Sequence, residues 1–430
     1  MGRQINAANR CGAAMKPSMY IVLLISMTLA GCAVERPFEA DPAPPETRAV
    51  IRQDGPVSVA AAALGAQESR DALGVSLHDV GIQPIWLRIR NDDTASYWLF
   101  PIAIDHDYFI PSEVLRRVAG RHPPQELVTR VENNALPVLI PPKSVTSGMI
   151  FVRVEEGLKA VTVQLMTPGH RRDFPFVLEV PGLHRPPVPS QRRIYPGQTL
   201  PDLDDAGLID YVATLPCCTI GPEGQEADPI NFVLVGSLEL VRLALASRGW
   251  TLAEVMSSSA SLKMVFAFLS GSRLPYGAVS DLRFLGRTQD VAYQKIRELV
   301  AERNHLRLWL APVTWHGQAV WAGQISRDVG VKLSGRLWPP TTHEIDPSVD
   351  EARFYLLQDL MTSQLAQRLS YTKGVGAAAK TAPRRNAEND PYYTDGLRAI
   401  VMLKEKRADT STIELFGEHY PVSARQLRNE

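Results

Sequence analysis

Between residues 57 and 185 apolar side chains recur at every second position, and that period constrains this part of the chain more than any other feature. Ile85, Leu87 and Ile89 alternate with Trp86, Arg88 and Arg90; Val161, Val163 and Leu165 alternate with Thr162 and Gln164; Phe176, Leu178 and Val180 repeat the pattern. Successive side chains of a strand point to opposite faces, so each run buries one face and leaves the other to solvent. Asn91-Asp92-Asp93 and Pro/Gly turns cut the runs into short strands. The spacing predicts an N-terminal all-β sandwich over 57–185, with one short helix over 112–118. Domains of this kind usually bind a partner or hold another domain at a distance.

Past this stretch the pattern changes. Residues 186–201 contain Pro186, Pro187, Pro189, Pro196 and Pro201 with Arg192-Arg193, the composition of a linker. From 202 to 430 helical and strand periods mix, which predicts an α+β domain. Ser237 caps a helix that carries Leu238, Val241, Ala244 and Leu245 on one face and stops at Gly249. Thr251-Leu-Ala-Glu254 has the form of a capping box opening the next helix. Strands are expected at 282–285, 306–310 and 320–325, the last two flanking a turn at His316-Gly317. Asp346-Pro347 starts a helix whose buried stripe is Phe354, Leu357, Met361 and Leu365. Residues 373–391, with Gly374, Gly376 and an Ala run, read as a mobile loop, and 397–403 and 412–416 as closing strands.

At the other end, Arg3, Arg10 and Lys16 precede an eleven-residue apolar run from Tyr20 to Ala30. Such a run is too short for a spanning helix, which needs about 20 residues. A basic segment, a short apolar run and small residues are the parts of a secretory signal. Leu29-Ala30-Gly31-Cys32 resembles the bacterial lipoprotein signal, in which the Cys is lipidated. That resemblance implies a signal peptide over 1–31 and Cys32 as the first residue of a lipid-anchored mature chain. Ala33 and Val34 follow Cys32 where an Asp would signal retention in the inner membrane, so the outer membrane is expected, with the domains facing the periplasm. Residues 32–56, with Pro37, Pro42, Pro44, Pro45 and Pro56, read as a Pro-rich tether.

Charge excludes one class of partner. Lys+Arg and Asp+Glu both number 46, so the cationic excess that nucleic-acid binding requires is missing. Of four cysteines, Cys11 and Cys32 fall in the signal and anchor, which leaves Cys217 and Cys218. A framework of several disulfides is excluded. The adjacent pair is a redox candidate, as a vicinal disulfide or as two thiols.

Within the second domain, Leu215-Pro216-Cys217-Cys218, Asn231-Phe232-Val233-Leu234-Val235-Gly236, Phe284-Leu285-Gly286-Arg287-x-Gln289-Asp290, His305-Leu306-Arg307-Leu308-Trp309, Arg327-Asp328-Val329-Gly330 and His343-x-Ile345-Asp346-Pro347-x-Val349-Asp350-x-x-Arg353 follow one another in order. Over about 205–370 this series resembles the LssY C-terminal domain family, named from a protein linked to a type I secretion locus. Some relatives carry membrane-embedded domains similar to lipid-phosphate phosphatases. This chain differs: its only echo of their Ser-Gly-His element is Thr167-Pro168-Gly169-His170. Asp350-Glu351-Ala352-Arg353 also separates the Glu from the Arg, where relatives place them side by side.

The candidate chemistry is a polar cluster. Asp346 and Asp350 are four apart, Asp350 and Arg353 three apart, so on a helix they share a face, with His343 just ahead of it. His with carboxylates suits a divalent metal, and Arg353 with Arg327 suits an anion. Asp328 would orient Arg327, and His305 would add a second imidazole. Trp309 and Trp321 are expected to pack in the core. No serine-hydrolase elbow, phosphate-binding Gly-Lys loop or zincin helix is present. Two functions follow: an interaction or accessory module for an envelope or secretion-system protein, or a hydrolase or ligand-binding enzyme acting on an anionic or phosphorylated envelope molecule.

Overall fold

The computed structural model describes residues 44–105, 108–155, 158–181, 189–253, 280–296, 303–333, 341–407 and 409–417, with backbone alone at 158, 331–333 and 341–343. The signal segment, Cys32 and the helix expected after Thr251 lie outside the described residues. The chain is strand-rich, with several sheets and more than one domain.

The N-terminal part contains two four-stranded antiparallel sheets. One orders β1 (Val50–Asp54), β2 (Val57–Ala63), β3 (Ile82–Asn91) and β6 (Ser144–Arg153) side by side. The other runs β5 (Leu139–Ile140), β4 (Tyr97–Leu99), β7 (Leu158–Thr167), β8 (His170–Glu179). Ile85, Leu87 and Ile89 from the first sheet and Val161, Val163, Phe174 and Phe176 from the second share one buried core. Thr167-Pro168-Gly169-His170 is the tight turn joining β7 to β8, with Gly169 at φ 75°.

Two expectations change here. Beside α2 (Pro111–Ala119), the one short helix expected at 112–118, stand two that the all-β reading omits, α1 (Ala66–Leu73) and α3 (Gln125–Asn134). Together they cover the outer face of the first sheet, where Ala60, Trp86, Met149 and Phe151 join Leu73, Val114 and Val131 in a second core. Trp86 therefore faces protein, not solvent. The tether reading also ends too late, because β1 occupies 50–54; four of its five residues are exposed, so an edge strand leaves no apolar alternation to read.

In the second part a ten-stranded mixed sheet forms the spine. Its path is β13 (Thr251–Leu252), β16 (Val291–Ile296), β17 (Arg303–Trp315), β18 (Gln318–Leu333), β12 (Phe232–Val235), β23 (Leu397–Leu403), β20 (Ala366–Lys373), β24 (Glu414–Leu415). β19 (Thr341–Ile345) adds to β18, and β9 (Asp202–Leu203) adds to β17. β12 and β23 are parallel and buried on both faces, as the apolar runs Phe232–Val235 and Ala399–Leu403 require. Phe232, Leu234, Ala399 and Val401 face α5 (Leu238–Ala246) and α6 (Val349–Thr362). Val233, Val235, Ile400 and Met402 face α4 (Asp205–Thr214) and a small sheet of β11 (Glu226–Pro229), β10 (Cys218–Ile220), β14 (Arg283–Phe284) and β15 (Arg287–Thr288). Trp309 and Trp321 are both in the core, on opposite faces of the sheet.

β17 and β18 join through His316-Gly317, both at positive φ, as a two-residue hairpin turn demands. Ser237 caps α5 through Leu240 N–H. Thr251–Leu252, however, is a strand paired with β16, and tertiary pairing overrides the local capping signal. The closing segment is mostly a 3-10 turn over Thr410–Thr412 followed by the two-residue β24.

α6 begins at Val349, two residues after Pro347, because Asp346 Oδ1 accepts Ser348 N–H at 3.0 Å in a turn ahead of the helix. Its buried side is Val349, Ala352, Arg353, Leu356, Leu357 and Leu360, while Phe354 is 39% exposed. Of the expected stripe, Leu357 and Leu365 are buried and Met361 packs against the same core, whereas the place of Phe354 is taken by Arg353, a charged residue that faces inward among compensating partners. Residues 373–391 are seated rather than free: β21 (Arg384–Arg385) pairs with β22 (Pro391–Tyr392), and Arg384 forms an ion pair with Glu226. In the stretch 189–201, Tyr195 Oη donates to Leu310 O at 2.7 Å. The two parts also touch: Ala160 of β7 and Val177 of β8 pack on the core that holds α5.

Candidate functional site

Strand alternation creates two polar environments, back to back, at the end of the β17–β18 hairpin far from its turn. Along β17, Leu306, Leu308 and Leu310 face α5 and α6, so Arg303, His305 and Arg307 face the other way. Along β18 the same opposite face carries Gln324, Ser326 and Asp328. Nearer the turn that face is apolar, with Trp309, Ala311, Val320 and Ala322.

The first environment is closed. Arg303, His305, Arg307, Gln324, Ser326, Asp328 and Asp228 are all buried. Arg307 Nη1 donates to Gln324 Oε1 at 2.8 Å, Gln324 Nε2 to Asp228 Oδ2 at 3.2 Å, and Asn386 Nδ2 to Asp228 Oδ1 at 3.0 Å. Arg303 Nη1 donates to Gln294 Oε1 at 2.9 Å, and its Nε lies 3.5 Å from Asp328. His305 Nε2 is 3.1 Å from Asp328 Oδ2. Burial pushes the Asp328 carboxyl up to about 7, against the pull of Arg303 and Arg307. Burial also raises Asp228, which Arg307 opposes, and lowers both guanidinium groups. A carboxyl that exchanges a proton near neutrality beside an imidazole is an acid–base pair by composition.

The second environment is open. Asn304 and Arg327, register partners across the hairpin, alternate with the buried set and point to the α6 face. With Glu351, Phe354, Tyr355 and Gln358 of α6 they line a cleft of about 260 Å³. The Arg327 side chain is 32% exposed, with Asp346 Oδ2 4.0 Å away. Asn304 Oδ1 and Arg327 Nε are buried atoms without a hydrogen-bond partner among the described residues.

The expected cluster is thus divided. Arg327 lines the cleft, while Asp328 and His305 lie across the sheet from it. Asp346 stands beside Arg327, its N–H donating to Arg327 O at 2.7 Å. Arg353 and Asp350 share a face as expected, but inside the protein: Arg353 Nη1 and Nη2 donate to Asp395 at 3.0 and 2.7 Å, and Asp350 lies 3.3 Å from Nη1. Asp350 also accepts Thr394 Oγ1 and Asp395 N–H. These contacts tie α6 to the start of β23 and occupy both Nη atoms of Arg353, while its Nε is buried without a hydrogen-bond partner among the described residues. His343 is in β19 opposite Val331, and its side chain is outside the described residues. Among the described residues no group of three or more His, Cys, Asp or Glu side chains is placed to hold a metal ion. Cys217 and Cys218 form a disulfide.

Sequence reading missed Arg303, Arg307, Gln324, Asp228, Asp395 and Asn304. The polar period-two stripe 303/305/307 was available as a signal; Asp228, from β11, and Asp395, from the loop before β23, are brought in from distant parts of the sequence and carry none.

Residues 210–397 match the family model described as LssY C-terminus. This segment is an LssY C-terminal domain. The match takes in residues 373–391 and Asp395, beyond the reach of the motifs quoted above. A search of curated proteins finds no match to the chain. Several motif residues of the LssY C-terminal domain are accounted for by packing alone. Asn231 brackets the β18 backbone, donating to Ile325 O and accepting Ile325 N–H, both at 3.0 Å. Arg287 grips Asp290 at 2.9 and 2.7 Å, and Asp290 Oδ2 accepts Leu310 N–H. No helix among the described residues is long and apolar enough to cross a membrane.

Proposed function

We propose that the chain is a lipid-anchored envelope protein whose LssY C-terminal domain binds a small anionic molecule, a phosphate ester or carboxylate, in the cleft at Arg327. In this reading a signal peptide over 1–31 is removed, Cys32 carries the anchor, and the tether presents a β-sandwich and then the α+β domain to the periplasm. The cleft carries the reading: it combines the partly exposed Arg327 guanidinium, whose buried Nε–H has no partner among the described residues, with the apolar ring of Phe354, while the Asn304 amide oxygen is placed to accept from a ligand hydroxyl. Arg offers a planar fork for oxyanions, and a small pocket with a few convergent polar groups is the usual form of a binding site.

Binding is favoured over turnover by position. The Asp328–His305 pair is buried on the opposite face of the sheet from the cleft, so the acid–base chemistry does not face the ligand. The domain then serves as a sensing or accessory module, with an envelope or secretion-system protein as its partner. Thermal unfolding of the purified protein with inorganic phosphate and phosphate monoesters tests this. Ligand at 100 times its Kd adds about 2.7 kcal/mol to stability. A shift that persists unchanged in Arg327→Ala overturns the assignment.

A further inference from the structure

We propose that Cys217–Cys218 is a thiol–disulfide exchange site, served by a dithiol donor, whose reduction lifts the strap of residues 374–392. This is independent of the anion cleft. Neighbouring cysteines place two sulfurs side by side beneath the strap, Cys217 half-buried and Cys218 buried, and the fold aims the strap at both. At Gly376, φ 94°, an added Cβ would fall 2.1 Å from Cys217 Sγ, so only a glycine permits this approach. Cys218 Sγ, buried, lies 3.5 Å from Tyr392 Oη at the far end of the strap. Between these points Arg384 pairs with Glu226 and Asn386 holds Asp228.

The backbone beneath the sulfurs does not yield. Arg398, 1% exposed, donates to Pro216 O, Ile230 O and Val212 O, and Cys217 O accepts Ile230 N–H. The strap bears on this support a second time at Gly374, where a Cβ would sit 2.5 Å from Arg398 Nε. A disulfide holds its sulfurs about 2.05 Å apart, and two thiols must separate to roughly van der Waals contact, about 3.5 Å or more. With the backbone pinned and Cys218 enclosed, Cys217 Sγ takes up the separation, and Gly376 is in its way. Reduction therefore lifts the strap.

The exchange balances as follows. A thiolate of the donor attacks Cys217 Sγ, because Cys217 is a half-buried residue and Cys218 a buried one; the S–S bond breaks and Cys218 leaves as a thiolate, to be protonated. The donor's second thiolate then attacks the mixed disulfide and releases Cys217. Two electrons and two protons pass to the pair, and the donor ends as a disulfide. Lifting the strap withdraws Asn386 from Asp228, so the redox state reaches the buried network around Arg307 and Asp328.

The experiment is hydrogen–deuterium exchange of the full-length protein, untreated and after dithiothreitol under native conditions, with the thiols mapped by alkylation. Cys217 and Cys218 should be blocked from alkylation before treatment and open after it. Exchange within 374–392 should then rise about tenfold or more, with 57–63 and 82–91 unchanged, and a mild oxidant should restore protection. Free thiols in the untreated protein, failure of the dithiol to reduce the pair, or unchanged exchange in the reduced protein each overturn the proposal. Cys217→Ala/Cys218→Ala removes the covalent bond and shortens both side chains; its strap should stay protected under dithiothreitol, and a rise there would show that the reductant acts elsewhere.

Discussion

Replacing Arg353 with Met separates a structural ion network from a ligand site. The guanidinium is fully buried, donates to both oxygens of Asp395 and to Leu397 O, and stands 3.3 Å from Asp350. Met fills most of the volume but leaves two carboxylates facing each other without a cation. Breaking a buried pair from one side costs about 3–5 kcal/mol. For a domain of this size each kcal/mol moves the melting temperature by roughly 2–4 °C, so a drop of roughly 6–20 °C is expected by calorimetry at neutral pH. The pH dependence gives the sharper test. Burial already holds the Asp350 carboxyl above its ordinary value, and Arg353 is the main opposing pull. In Arg353→Met that pull is gone, the folded state favours the protonated acid more strongly, and stability is lost as pH rises through the raised value. The deficit against the parent should therefore shrink toward pH 5 and grow toward pH 8. A deficit below about 1 kcal/mol at neutral pH, or one independent of pH, refutes the reasoning.

Arg327→Ala should behave differently: a partly exposed cation 4.0 Å from Asp346 contributes at most about 1 kcal/mol, so stability barely changes while any phosphate-induced shift disappears. Asp328 titrates at about 7 in the folded protein and near 4 unfolded, so it contributes stability that is complete at low pH and lost as pH rises toward and through 7. Asp328→Asn should flatten that decline between pH 5 and 8, and melting curves as steep as the parent's in this range count against it. Cys32→Ala should leave an unprocessed precursor that takes up no labelled palmitate; normal labelling would remove the lipid anchor from the proposed function.

What the sequence disclosed divides along a physical line. Local, repeating signals were readable: the β3, β7 and β8 alternations, the Ser237 cap, the His316-Gly317 turn and the 397–403 strand all depend on neighbours close in sequence. Arrangements that depend on distant partners were not. Asp346, Asp350 and Arg353 read as one shared helix face open to a ligand because helical spacing makes them neighbours, yet Arg353 is buried against Asp395, forty-two positions on. Thr251 read as a helix cap until pairing with Gln294 drew it into a strand. Arg327 and Asp328 were grouped as adjacent residues, although adjacency in a strand places them on opposite sides of a sheet.

That last point constrains how the hairpin can change length. Asn304 and Arg327 serve the cleft, while His305 and Asp328, one step along each strand, serve the enclosed network. An added or deleted residue between the turn and this end would send each guanidinium and carboxylate to the wrong side and exchange open chemistry for closed. Variation should therefore arrive in pairs of residues, or be absorbed at the His316-Gly317 turn and at the irregularities between Leu310 and Thr314 and between Asp328 and Gly330, where the ladder already breaks step.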